Sequence, residues 1–216
     1  DVYKRQLGSS TIFSGGAELK SGTLTIGNGS AVGSGSLLVS GASSLATGQS
    51  VTLANTVTLN SNLTVTGNND LQLDGVVSGS GKLIKTGTGT LTLNALNTHG
   101  GGVELWSGSL RLDAAGLGTG ELRVRGDSSL EIRNAMINNG PVAVDARLQL
   151  VQSSNLVLAG AVSGSGTIVK TGSSTLRLDN TNNTFNGTYD VQQGFLTNNS
   201  TNALGALPTV NLASTT

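Results

Sequence analysis

The chain has 216 residues, of which 3% are aromatic, 11% are charged and none is cysteine, and its 12 basic and 12 acidic residues balance. Zero net charge offers nucleic acid or an anionic membrane no general attraction, and the missing thiols exclude disulfide scaffolds, thiol catalysis and thiolate metal sites. No apolar run reaches the roughly 18 residues of a membrane-spanning helix, and no basic start leads into an apolar signal core.

Residues 1–7 begin with "DVYKRQ", which carries four strongly polar side chains and has no match downstream, so they are read as a foreign or disordered end outside the fold. From residue 8 onward the chain repeats itself. "LKSGTLTI" from Leu19 lies over "LWSGSLRL" from Leu105 at an offset of 86, and "GASSL" from Gly41 over "GDSSL" from Gly126 at 85. "LQLDGVVSGSG" from Leu71 lies over "LVLAGAVSGSG" from Leu156. The pattern runs on: "SGSGKLIKTGTGTLTL" from Ser78 shares ten of sixteen positions with "SGSGTIVKTGSSTLRL" from Ser163. Residues 8–216 therefore read as one continuous fragment of about 2.5 copies of an 85-residue unit, divided near 8–70, 71–155 and 156–216.

Within each unit, short apolar alternations mark half-buried strands. Leu71-Gln-Leu, Leu91-Thr-Leu, Leu110-Arg-Leu, Leu130-Glu-Ile and Leu148-Gln-Leu start 20, 19, 20 and 18 residues apart, and Leu83, Val103, Leu122 and Val142 form a second series. Gly, Asn, Ser and Thr clusters between them supply turns. Coils of about 20 residues with two or three strands each predict an all-β fold, a single-stranded parallel β-helix (solenoid) of about ten coils, stable only when coils stack. Four such coils would make one 85-residue unit. The spacing also predicts two outward cross-strand ion pairs, Arg111 with Glu131 and Asp113 with Arg133.

The stretches from Ser78 to Gly118 and from Ser163 to Gly205 resemble the autotransporter-associated β-strand repeat, also called the passenger-associated transport repeat. Its pattern is a Gly-rich turn, Lys-x-Gly, "GTLTL", Asn-Thr-aromatic-x-Gly-Gly, "GTL" and a closing Leu-Gly. The matching positions are Gly79, Gly81, Lys85, Gly87, Leu91 and Leu93, then Gly164, Gly166, Lys170, Gly172, Leu176 and Leu178. Two features depart from it: His99 stands where the other copies have Phe13 and Phe185, and the third copy carries an extra residue before Gly194. The resemblance implies a right-handed β-helix in a Gram-negative type V secretion passenger, displayed at the cell surface and joined to the outer membrane through a β-barrel outside this sequence. Its implied partners are flanking coils and that C-terminal barrel translocator of the same parent chain. No cofactor, nucleic acid or small-molecule substrate is expected.

Several residues invite chemistry. Lys85 and Lys170 recur at one position, which a structural repeat explains without a ligand. His99, the single histidine, has no metal-ligating neighbours in "NALNTHGGG" and reads as a turn-packing ring. "SGSGKL" fails as a phosphate loop, because Val76 replaces the first Gly and Leu83 the Ser or Thr. Arg125-Gly126-Asp127 spells an integrin-type adhesive turn, but the preceding copy has Ser40-Gly41-Ala42 there, so the turn is needed anyway.

Three function classes follow. The first is a structural stalk or display segment folding coil by coil; the second is an adhesin that binds a host surface receptor through the 125–127 turn or through Asn/Thr ladders. The third, a β-helix carbohydrate-active enzyme, would need carboxylates converging on one groove. Instead, five arginines alternate with five acids between Arg111 and Arg147, and Trp106 is the single tryptophan, so no enzyme is expected. An antiparallel sandwich or a membrane barrel remains the alternative fold; the 20-residue rhythm argues against the first and the scarcity of aromatics against the second.

Overall fold

The structure, a computed structural model, describes residues 4–7, 14–114 and 116–213. Among the described residues every regular element is a strand, and every strand pair is parallel. The chain winds through three faces in constant order. The first face holds β1 (Lys4–Leu7), β3 (Gly22–Ile26), β5 (Ser43–Thr47), β8 (Leu63–Thr66), β11 (Leu83–Lys85), β13 (Val103–Leu105), β15 (Leu122–Val124), β18 (Val142–Val144) and β21 (Val162–Ser163). The second holds β6 (Val51–Leu53), β9 (Leu71–Leu73), β12 (Thr90–Leu93), β14 (Gly108–Leu112), β16 (Ser128–Ile132), β19 (Arg147–Gln152), β22 (Thr167–Thr171), β24 (Thr188–Val191) and β26 (Thr209–Leu212). The third is split into two sheets, β2 (Ala17–Leu19), β4 (Leu37–Val39), β7 (Val57–Leu59) and β10 (Val77–Gly79), then β17 (Met136–Asn138), β20 (Leu156–Leu158), β23 (Thr175–Leu178) and β25 (Phe195–Asn198). This is the predicted parallel β-solenoid. The terminal residues set aside on sequence grounds include β1, which pairs Lys4 with Thr23 through Leu7 with Ile26.

Alternation builds the core directly. Inward residues stack into columns such as Leu24, Leu45, Val65, Lys85, Leu105, Val124 and Val144 on the first face, and all seven are buried. Both predicted ion pairs form: Arg111 lies beside Glu131 with Nε–Oε2 at 2.7 Å, and Arg133 approaches Asp113 at 3.6 Å. One predicted register shifts by two residues. Leu130 stacks on Leu150, while Leu148 lies over Ser128. The longer β19 turns both leucines inward, so the first of them is not the partner, and the column spacing stays 20 instead of closing to 18.

The expectation of four coils per unit is corrected. Lys85 lies on the first face and Lys170 on the second, although they are repeat mates. From β11 to β22 the chain passes eleven strands and two strandless sides, thirteen sides in all, which is four and one-third coils. Each copy is therefore rotated by one face. The described strandless sides rotate with it: 27–36 on the second face, 94–102 and then 113–114 with 116–121 on the third, and 179–187 and 199–208 on the first. The register of the repeat is kept side by side and not coil by coil, because one strand and one corner take only six or seven residues.

Candidate functional site

Three clusters hold the residues singled out by the sequence. The first is a pair of equivalent corners. Lys85 and Lys170 occupy inward columns where neighbouring coils have Val65 and Leu105, or Leu150 and Val191, and both are buried. The Lys85 ammonium donates to the carbonyls of Thr86 (2.8 Å), Gly87 (2.8 Å) and Ser107 (3.5 Å), and that of Lys170 to Thr171 (3.2 Å), Gly172 (2.7 Å) and Gln193 (3.1 Å). Three donors thus meet three acceptors. Gly87 and Gly172 take φ of 77° and 82°, a left-handed turn that aims their carbonyls inward. This explains the Lys-x-Gly element. Burial pushes Lys85 down to about 8, opposed by the charge of Asp70, and lowers Lys170 in the same direction. Closed in by backbone, neither ammonium is presented to a ligand.

The second cluster is the Arg125-Gly126-Asp127 corner. Arg125 donates from Nε to Glu104 at 3.0 Å, and its guanidinium lies 5.8 Å from the centre of the Trp106 ring. Trp106 donates its indole N–H to the same carboxylate at 2.8 Å, and Lys82 reaches it at 2.8 Å. Burial alone would raise the pKa of Glu104, but the hydrogen bonds from Lys82 and Trp106 and the charges of Lys82 and Arg125 outweigh it and hold the carboxyl below its ordinary value. Asp127 accepts the backbone N–H of Arg147 at 3.2 Å. Gly126 is required by packing, since a Cβ there would lie 2.1 Å from the Trp106 carbonyl oxygen. The arginine of the tripeptide is thus paired within the chain, while Asp127 stays exposed. Lys82, the lysine of the rejected phosphate-loop reading, is spent on Glu104.

The third cluster is the strandless side 94–102. His99 is fully buried there, as Phe185 is on the equivalent side of the next copy; Phe13 lies outside the described residues. The sequence reading missed Asn97 and Asn183. Asn97 Oδ1 accepts the Val77 N–H at 2.7 Å and its Nδ2 donates to the Gly116 carbonyl at 3.0 Å, so one side-chain amide stands in for a backbone amide in the stack. Asn183 does the same between the Val162 N–H and the Ala203 carbonyl. The signal was present in the recurring Asn-Thr-aromatic triplet. The third copy's extra residue falls between Leu178 and Asn183, on this same kind of side. Among the described residues, no group of three or more His, Cys, Asp or Glu side chains could hold a metal ion.

Residues 83–112 and 168–197 each match the family described as passenger-associated-transport-repeat. The chain is also similar to a protein named adhesin BmaC autotransporter from Brucella suis biovar 1 (strain 1330), with 33% identity over 154 residues. That alignment covers 68% of this chain and 4% of the relative, so the chain corresponds to a small part of that protein's length. No solved structure matches the chain. The matched segments each run from the inward lysine side, across a strandless side, to the strand two sides beyond it.

Proposed function

We propose, from the premise that the chain is a stretch of autotransporter passenger carrying passenger-associated transport repeats, that it serves as a stalk that displays other parts of its parent protein at the bacterial surface. The supporting observation is the continuity of the ladders. Among the described residues, two faces carry nine hydrogen-bonded parallel strands each, and each coil rests only on its neighbours. Such a stack can grow one side at a time from an emerging chain, and stacking onto finished coils supplies the driving force. On this reading the partners are flanking coils and an outer-membrane barrel of the same parent chain.

The reading assigns no catalysis to this stretch, because Glu104, Glu131, Asp145 and Asp179 are each paired with a basic side chain. The relative is named an adhesin, but the adhesive turn suggested for this chain has its arginine committed to Glu104 and Trp106. Small-angle scattering of the purified chain tests the stalk. About ten coils at roughly 4.8 Å each should give a rod about 48 Å long and distinctly longer than wide. A compact particle would overturn the proposal.

A further inference from the structure

His99 sits where the third face has no strand. Around it the stack is held by the Asn97 amide and by single backbone bonds, Thr98 N–H to Val77 O (2.9 Å), Gly100 N–H to Gly79 O (2.8 Å) and Thr119 N–H to His99 O (3.1 Å). The ring is 0% exposed, and neither of its nitrogens makes a hydrogen bond of good geometry. Gly118 covers it so closely that a Cβ there would lie 2.9 Å from Cε1 and Nδ1. A neutral imidazole leaves at least one ring nitrogen without a partner in this site, and an imidazolium would bury a charge with only the backbone of Val77 and Gly102 beside it, neither in good hydrogen-bond geometry. The equivalent Phe185 has no proton to take up and packs on Tyr189 with ring centres 4.8 Å apart.

No charge compensates. β10 below brings Val77, Ser78 and Gly79, β12 brings Thr90 to Leu93, and residues 116–119 above bring Gly, Leu, Gly and Thr, none titratable. On β11, Lys85 is committed to corner carbonyls. On β13, Glu104 is held by Lys82, Trp106 and Arg125, and Glu121 lies 3.8 Å from Arg123.

We propose that His99 makes the coils at residues 94–121 an acid-labile point of the solenoid, which opens in mildly acidic surroundings while the coils built on Phe185 stay closed. Burial pushes the His99 pKa below its ordinary 6.5, with the backbone of Val77 and Gly102 opposing it more weakly. An opened stretch returns the ring to its ordinary value. As pH falls through 6.5 the open form takes up a proton that the closed form refuses, so closure is favoured above that pH and lost below it. At pH 5 the opening constant should be higher than at neutral pH by a factor of at most about thirty, the limit set by a ring that stays wholly neutral while closed.

Amide hydrogen exchange on the full chain at pH 7.5 and 5, corrected for intrinsic rates, reads this directly. The expected result is a loss of protection, at most about thirtyfold, confined to 94–121, absent from His99→Phe, the residue its repeat mate uses. An equal loss in His99→Phe, or a loss spread evenly over all coils, overturns the proposal. Should that variant fail to fold, the wild-type imidazole resonances decide, because the chain has one histidine. A ring that stays neutral well below pH 6.5 in the folded chain supports the proposal, and an ordinary titration with the fold intact sinks it.

Discussion

Between Lys20 and Asp70 the chain has no charged residue, whereas Glu104 to Arg147 contains eleven. Both regions nevertheless build the same ladder: β3, β5 and β8 stack on the first face as β13, β15 and β18 do. In the charge-free coils the outward positions are hydroxyls and methyls, such as Thr23, Ser44 and Thr64 in one column. In the charged coils the same column reads Glu104, Arg123 and Ala143. The contrast shows that register belongs to the inward residues, since a one-residue slip would turn every leucine outward in either region. Much of the outward charge is paired locally: Arg111 with Glu131, Arg123 with Asp145, and Arg125 with Glu104.

The sharpest way to break this comparison is to hollow the core on each side of it. Leu45 in the charge-free coils and Leu130 in the charged coils are both fully buried. Leu45→Ala and Leu130→Ala should each lose about 2–5 kcal/mol in urea unfolding. A loss confined to one region would show that the two are not held by the same force.

The next effect comes from the boundary between the regions. Lys85 is lowered to about 8 from an ordinary 10.5. Between those values the open chain keeps a proton that the folded one has released, so stability should climb as pH rises from about 8 toward 10.5. The gain is at most about 3 kcal/mol, reduced because the carbonyls of Thr86 and Gly87 favour the ammonium. Lys85→Met should flatten the rise, read as the urea midpoint between pH 7.5 and 9.5. Residues 21–69 carry no charged side chain and add no titration of their own to it.

Much of this was legible beforehand, for a physical reason in each case. Alternation at Leu71, Leu91, Leu110 and Leu130 names the inward face, and the stacking of those strands dictates that Arg111 meets Glu131. The phase of the repeat was not legible. An 85-residue period fits four coils in sequence, but counting sides needs the corners, whose lengths vary and leave no periodic mark. The Leu148 register failed because two inward leucines in one strand offer two alignments that differ by a whole pleat. The lysines were read as recurring for structure, and each ammonium meets corner carbonyls. Their partners were invisible, because backbone carbonyls carry no sequence signature. Asn97 hid for the converse reason: its side chain imitates backbone, and the strandless side it closes looks like an ordinary loop.

The smallest expected effect isolates the charges themselves. Arg111 Nε lies 2.7 Å from Glu131 Oε2, with the arginine side chain 38% exposed. A double-mutant cycle with Arg111→Ala and Glu131→Ala should give a coupling of about 0.2–1 kcal/mol that fades in 1 M salt. The outward Thr23 and Ser44 pair in the charge-free coils should couple weakly and ignore salt. If the ionic coupling exceeds that range, or persists in salt, the charges help to set the register of the middle coils. A coupling of zero would leave both regions held wholly by their inward columns, and the eleven charges would then serve only to keep that stretch of surface hydrated.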